Sequence, residues 1–237
     1  MYRLLLILFT LLLTAFSLKK DTAVTVFSLE FTSKMIENKK YITVEGEVYF
    51  KRDNNLMVTH IKKPFETVTI LNANGDMKVY NYESNTITLT SNILNSSEQS
   101  YFWYYLTGNY HDMGLSKTGY TMIDTKIEDG AIVTYWGPKP GNISYIKKII
   151  IATENNLPIY EEFQADKGKI KGKIFFANYT KVGDIPLPLK ITEIFYGPKK
   201  DSSINIKQYF NPKINKEVSL EYLNFKIPSN AKTFHKK

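Results

Sequence analysis

The sequence predicts a mainly β fold with a few helices. The expected architecture is a strongly curved antiparallel sheet, an open, incomplete β-barrel of about ten or eleven strands, wrapped around two or three helices. Three observations point there. Short runs rich in Val, Ile, Thr, Tyr and Phe recur from residue 40 to residue 210, punctuated by Asn74-Gly75, Asp129-Gly130 and Lys167-Gly168, which are hairpin turn signals. The connections are short, so successive strands pair antiparallel. Two segments in the first half carry helix signals inside this otherwise β pattern.

The elements follow in order. Met1-Tyr2-Arg3, an apolar run from Leu4 to Leu13, and Thr14-Ala15-Phe16-Ser17 describe a secretory signal peptide over residues 1–17, cut after Ser17. An uncleaved anchor is the alternative, but the run is short of the roughly 20 apolar residues that a spanning helix needs. Residues 18–237 form one domain. Thr22 to Asn38 is the first expected helix, because Phe27, Phe31 and Met35 recur every four residues with Val24 on the same side. Strands are expected near 40–51, 55–62, 66–73, 76–82 and 85–91. In the first of them Ile42, Val44, Val48 and Phe50 share one face, and Thr43, Glu45, Glu47, Tyr49 and Lys51 the other. Asn95 and Glu98 read as a capping box opening a second helix, Ser96 to Thr107, closed by Gly108. That helix carries Tyr101, Phe102, Trp103, Tyr104, Tyr105 and Leu106 in succession, so it needs cover all round. A third, short helix could lie in 108–117. Strands resume near 118–128, 131–137, 144–153, 157–166, 169–181, 187–197 and 203–210. Gly137-Pro138-Lys139-Pro140-Gly141 reads as a surface loop rather than a linker, since the strand pattern continues unchanged beyond it. Phe225-Lys226-Ile227-Pro228 closes the fold.

Several strands double their apolar residues: Ile70-Leu71, Ile149-Ile150-Ile151, Phe175-Phe176 and Ile194-Phe195-Tyr196. A sheet with one wet face shows apolar residues on one side only. The doubling implies cover on both faces, or a curved sheet with an apolar concave side. Aromatics make up 14% of the chain, and such side chains suit either a dense core or a pocket for a flexible apolar ligand.

Composition excludes several functions. The chain has no Cys, which removes disulfides, thiol catalysis, Cys-ligated zinc and N-terminal lipidation. The net charge is +8, but the lysines are dispersed in pairs with no basic helix or nucleic-acid motif to organise them. Attraction to anionic lipid headgroups is a second reading of the charge. His60, His111 and His235 lack metal-ligand spacing, and no nucleophile elbow or phosphate loop is present. Glu161 and Glu162 are adjacent and point to opposite faces of a strand, so they do not form a catalytic pair. Asn95, Asn142 and Asn178 open glycosylation sequons, which matter only in a eukaryotic secretory pathway. No enzyme, metal or cofactor is expected.

The run Gly46-Glu47-Val48-Tyr49-Phe50-Lys51-Arg52, with a second strand, a Pro at 64 before a third, Asn74-Gly75 and an aromatic strand ending at Tyr80-Asn81-Tyr82, resembles the LolA family of periplasmic lipoprotein carriers. The resemblance runs from about Phe31 to Pro228, with Asp53 where the family commonly has Pro. It implies an acyl-chain cavity, lined here by Phe27, Phe31, Met35, Val48, Phe50, Tyr101, Phe102, Trp103, Tyr105 and Trp136. It also implies that Arg52 latches the lid helices through its guanidinium; a solvated strand-end charge, paired with Asp53, is the alternative reading of that residue. The implied partners are acylated lipoproteins or lipids, an inner-membrane lipoprotein-releasing ABC transporter, and an outer-membrane receptor or the membrane. The implied state is a monomer, and a carrier of another lipid, or a periplasmic interaction or sensor module on the same fold, are the alternatives.

Overall fold

The computed structural model describes residues 23–37, 40–92, 96–197 and 201–234. The expected signal peptide, Asn95 and His235 lie outside them. One 14-stranded sheet organises these residues, in the order β14-β6-β5-β4-β3-β2-β1-β13-β12-β11-β10-β9-β8-β7. The strands are β1 (Val26–Glu37), β2 (Lys40–Lys51), β3 (Leu56–Lys63), β4 (Thr67–Leu71), β5 (Asp76–Asn81), β6 (Thr86–Ser91), β7 (Tyr120–Glu128), β8 (Ala131–Pro138), β9 (Lys148–Glu154), β10 (Leu157–Gln164), β11 (Ile170–Val182), β12 (Ile185–Tyr196), β13 (Ser202–Ile214) and β14 (Lys232–Thr233). Two antiparallel meanders, β1–β6 and β7–β13, are joined where β1 pairs with β13. β14 adds parallel to β6. The sheet is open, with β7 and β14 at its edges.

The first expected helix is a strand. β1 pairs along its length with β2, Phe27 opposite Phe50 and Met35 opposite Ile42. A spacing of four residues puts side chains on one side of a helix, but four is even, so it also puts them on one face of a strand. Leu29 and Ser33, lying between the spaced residues, are buried too, as an alternating strand requires. Val24, Thr25, Val26 and Thr32 add β-branched residues that favour the extended form. This strand, together with β14, takes the sheet beyond ten or eleven strands, and two or three helices become a single α-helix among the described residues.

That helix is α1, Tyr101–Thr107, and it is shorter than expected. Ser97–Gln99 form a separate 3-10 turn. Ser100 is the N-cap, its hydroxyl accepting from the Trp103 N–H at 3.2 Å, and Gly108 ends the helix at φ 72°. Glu98 does not cap; its carboxylate accepts from Asn55 Nδ2 at 2.8 Å. The helix lies on the inner face of the sheet, packed on a core that includes Phe27, Leu29, Phe50, Ile151, Ile174, Phe176 and Ile191. The outer face has its own cluster, in which Tyr49, Val58 and Val68 are covered by Val218 and Leu223 of the chain after β13. Tyr222 stacks on Tyr49 at 5.5 Å and on His60 at 4.1 Å. Phe225 of the closing segment packs against Tyr80 and Tyr82. Expected turns appear with their backbone signatures, as at Asp129 (φ 50°) and Gly130 (φ 84°). Gly137 and Pro138, expected in a loop, end β8 opposite Thr121 and Tyr120; the loop begins at Lys139, and β9 then pairs back on β8.

Candidate apolar ligand cavity

Four strands and the start of α1 build a cavity of about 660 Å³ on the inner face. Alternation places the lining. Phe31, Ser33 and Met35 come from β1, Val44 and Val48 from β2, Met57, Thr59 and Ile61 from β3, and Lys207 and Tyr209 from β13. The registers bring them together: Phe31 stands opposite Gly46 and Tyr209, and Ser33 opposite Val44 and Lys207. Ser100, Tyr101 and Phe102 close the cavity from the helix side. Phe102 is wedged between Phe27 at 5.4 Å and Tyr209 at 5.2 Å.

Gly46, first residue of the quoted motif, has a steric role here. A Cβ at this position would sit 2.3 Å from the His60 carbonyl oxygen and 3.1 Å from Cε1 of Phe31. The absent side chain lets the Phe31 ring lie across β2 as part of the cavity wall.

The expected lining residues divide into groups. Phe31, Met35, Val48, Tyr101 and Phe102 line the cavity. Phe27 and Phe50 are buried beside it, in the core under α1. Trp103 packs on Phe50 at 6.1 Å. Tyr105 lies in the packed part of the core, its hydroxyl 2.6 Å from that of Tyr179, and Trp136 lies in the same core on β8, where its Nε1–H donates to Thr134 Oγ1 at 3.0 Å. Arg52 is exposed in the turn after β2. Its backbone N–H donates to Thr25 O at 2.8 Å, and its guanidinium makes no ion pair among the described residues. Asp53 pairs with Lys51 at 3.2 Å, not with Arg52. The same turn nevertheless fastens the segment leading into α1. Asn55 donates to Glu98, and the Ser97 hydroxyl donates to the Asn55 carbonyl.

Sequence reasoning missed Ser33, Lys207 and Tyr209, which give the cavity a polar end. Ser33 Oγ donates to Asn205 Oδ1 at 2.6 Å. Asn205 Nδ2 donates to Glu193 Oε2 at 3.0 Å, and Lys207 Nζ to Glu193 Oε1 at 2.9 Å. The period-2 face of β13 holds Asn205, Lys207 and Tyr209 together, a signal present in the sequence. Burial, with Glu193 nearby, raises the Tyr209 pKa above the ordinary phenol value, and burial with Glu161 and Glu193 raises that of Tyr101. Both hydroxyls therefore stay protonated as donors.

Glu161 and Glu162 do point to opposite faces. Glu162 faces outward to Lys173, 3.4 Å away. Glu161 faces inward, between Ile151 and Ile174 on the neighbouring strands, and burial pushes its carboxyl up to about 8. Among the described residues no group of three or more His, Asp or Glu could hold a metal, and no helix is long and apolar enough to cross a membrane.

No protein-family model matches this sequence, and no curated protein matches it. Solved structures do. A DUF1329 family protein from Desulfovibrio piger ATCC 29098 superposes with a TM-score of 0.61 at 14% identity, over 86% of this chain and 92% of that one. A putative outer membrane lipoprotein-sorting protein domain from Vibrio parahaemolyticus gives 0.57 at 11% identity, over 84% and 89%. A LolA superfamily protein from Nitrosomonas europaea gives 0.54 at 11% identity, over 83% and 90%. At such low identity these likenesses speak to architecture, and the architecture is that of a LolA-like fold.

Proposed function

We propose that this protein is a non-catalytic periplasmic carrier that shelters acyl chains of its cargo between α1 and the inner face of the sheet. The apolar cavity roofed by Phe102 and floored by Phe31, Val48 and Met57 carries this reading. The fold shared with a lipoprotein-sorting domain and a LolA superfamily protein supports it. Lipoproteins are the cargo that the resemblance implies, with an inner-membrane ATP-driven releasing complex as donor and an outer-membrane receptor or the membrane as acceptor. A signal peptide over residues 1–17 would deliver the chain to that compartment. A different lipid is the second reading, favoured by the cavity's volume. A methylene fills ~30 Å³, the share of a water molecule, so 660 Å³ has room for one long chain.

Transferring a 16-carbon chain from water gains about 13 kcal/mol at ~0.8 kcal/mol per methylene, so release needs an opposing closure. In this reading the turn after β2 supplies it, supported by the Asn55 contacts to Glu98 and Ser97, with Arg52 exposed in the same turn. Native mass spectrometry of protein purified from its own periplasm tests the reading. Acylated protein or free lipid should travel with it; recovery of the bare chain alone would sink the proposal. In the same preparation Asn55→Ala should retain more cargo than wild type, with Arg52→Leu shifting retention in the same direction by less.

A further inference from the structure

The carrier reading leaves the polar end of the cavity unexplained. The Lys207 ammonium has three donors. One is taken by Glu193, whose other oxygen is taken by Asn205. Neither the Tyr101 nor the Tyr209 hydroxyl is hydrogen-bonded to another described residue, yet both belong to the cavity wall with Lys207 and Ser33. Two ammonium N–H groups and two protonated phenols thus line one mostly apolar pocket, Lys207 and Tyr209 from β13 and Tyr101 from the start of α1. An apolar ligand would cover these donors without offering them acceptors. An anion supplies the acceptors, and charge-assisted bonds are the strongest available there.

The cavity also has room for the rest of the ligand. At ~30 Å³ per methylene, the cavity of about 660 Å³ accommodates one chain of about 16 carbons with a small head. We propose, resting on the carrier reading, that the cavity takes a single-chain amphiphile with an anionic head, a carboxylate or a phosphate. Its chain lies over Phe31, Val48 and Met57, and its head is received by Lys207, Tyr101 and Tyr209. Glu193, held by Asn205, positions Lys207 and keeps the empty site near neutral. The head then adds negative charge beside an existing ion pair, which limits affinity enough for release.

Displacement of a fluorescent acyl probe from the mature protein, with hexadecanoate, hexadecyl phosphate, hexadecanol and a triacylated lipopeptide as competitors, tests this. Hexadecanoate or hexadecyl phosphate should compete at least about tenfold better than hexadecanol, a difference worth about 1.4 kcal/mol; the better of the two identifies a fatty acid or a phosphate-headed lipid as the source. Lys207→Met should bring the preferred anion to within about twofold of the alcohol. Since that variant strands the Glu193 carboxylate, the double variant Lys207→Met/Glu193→Gln repeats the measurement with no unpaired charge. Equal competition by anion and alcohol in wild type overturns the inference but leaves the carrier reading standing. So does a lipopeptide that outcompetes every single-chain ligand. Failure of the folded protein to bind the probe or any competitor overturns both.

Discussion

The inner face of the sheet is packed solid on one side and hollow on the other. Across β9–β12, Ile151, Ile174, Phe176 and Ile191 are buried to between 0% and 3% exposure, with Tyr101 set edge-on to Phe176 at 5.3 Å. Across β1–β3 the same face ends in the cavity, and Met35 and Ile42 are 44% and 54% exposed. Coverage explains the contrast. Seven helical residues span about 10 Å, whereas fourteen strands at ~4.8 Å spread over about 60 Å. One short helix cannot roof the whole face, and where its aromatic side chains run out a groove remains. The carboxylates follow the same division. Glu161, under the helix, has no hydrogen bond or ion pair among the described residues, whereas Glu193 is held by Asn205 and Lys207 at the cavity's polar end.

The contrast breaks if the two sides respond alike to cavity-forming substitutions. Ile174→Ala, in the packed part, should cost about 3 kcal/mol in urea unfolding, whereas Val44→Ala, already beside empty space, should cost less than about 1 kcal/mol. Similar losses would mean that the groove is filled in solution.

Two strand glycines sharpen it further. The Cβ of Gly46→Ala meets the His60 backbone and the Phe31 ring, so β2 must shift; about 1–3 kcal/mol should be lost and acyl-probe affinity reduced. The Cβ of Gly172→Ala would meet the ring of Phe195 at 2.8 Å, and Phe195 is 46% exposed and able to swing away. That variant should lose less stability and keep its probe affinity.

The third test uses pH. The Glu161 carboxyl titrates at about 8 in the folded chain against an ordinary 4.5. Folding therefore retains a proton that the unfolded chain has released between those values, and stability falls as pH rises from about 4.5 to about 8, by up to ~1.4 kcal/mol per pH unit from this group. Below 4.5 its contribution is fully present. Glu161→Gln should flatten that slope. An unchanged slope in Glu161→Gln, measured by urea unfolding across pH 4 to 8.5, would show that water reaches the carboxyl.

Most strands were legible because their signals are local. β2 alternates cleanly, and its expected faces agree with the burial of Val48 and Phe50 on one side and the Tyr49–Tyr222 stack on the other. Asp129-Gly130 and Asn155-Asn156 adopt positive φ at turns where such residues are tolerated. β1 misled because a four-residue spacing satisfies both periods; what decided it was β13, whose Asn205 receives the Ser33 hydroxyl from 172 residues away. Five of the ten residues expected to line a ligand cavity lie in the wall of the inner-face cavity, and most of the others lie in the core beside it. The Lys207 and Tyr209 end went unread because an isolated Lys on a half-polar strand looks like any solvated one until the sheet places it beside Glu193 and α1.

By itself the sequence determined the antiparallel meander and the aromatic helix with its glycine stop. Those rest on contacts between neighbours in the chain, on turn residues and on period. Tertiary structure decided that residues 26–37 are a strand, that the helix roofs only part of the sheet, and that the turn after β2 grips the helix's lead through Asn55. It also decided that one end of the apolar cavity is lined with donors. Each of these depends on pairing between segments far apart in sequence, where no local preference discriminates and only the simultaneous burial of both partners does.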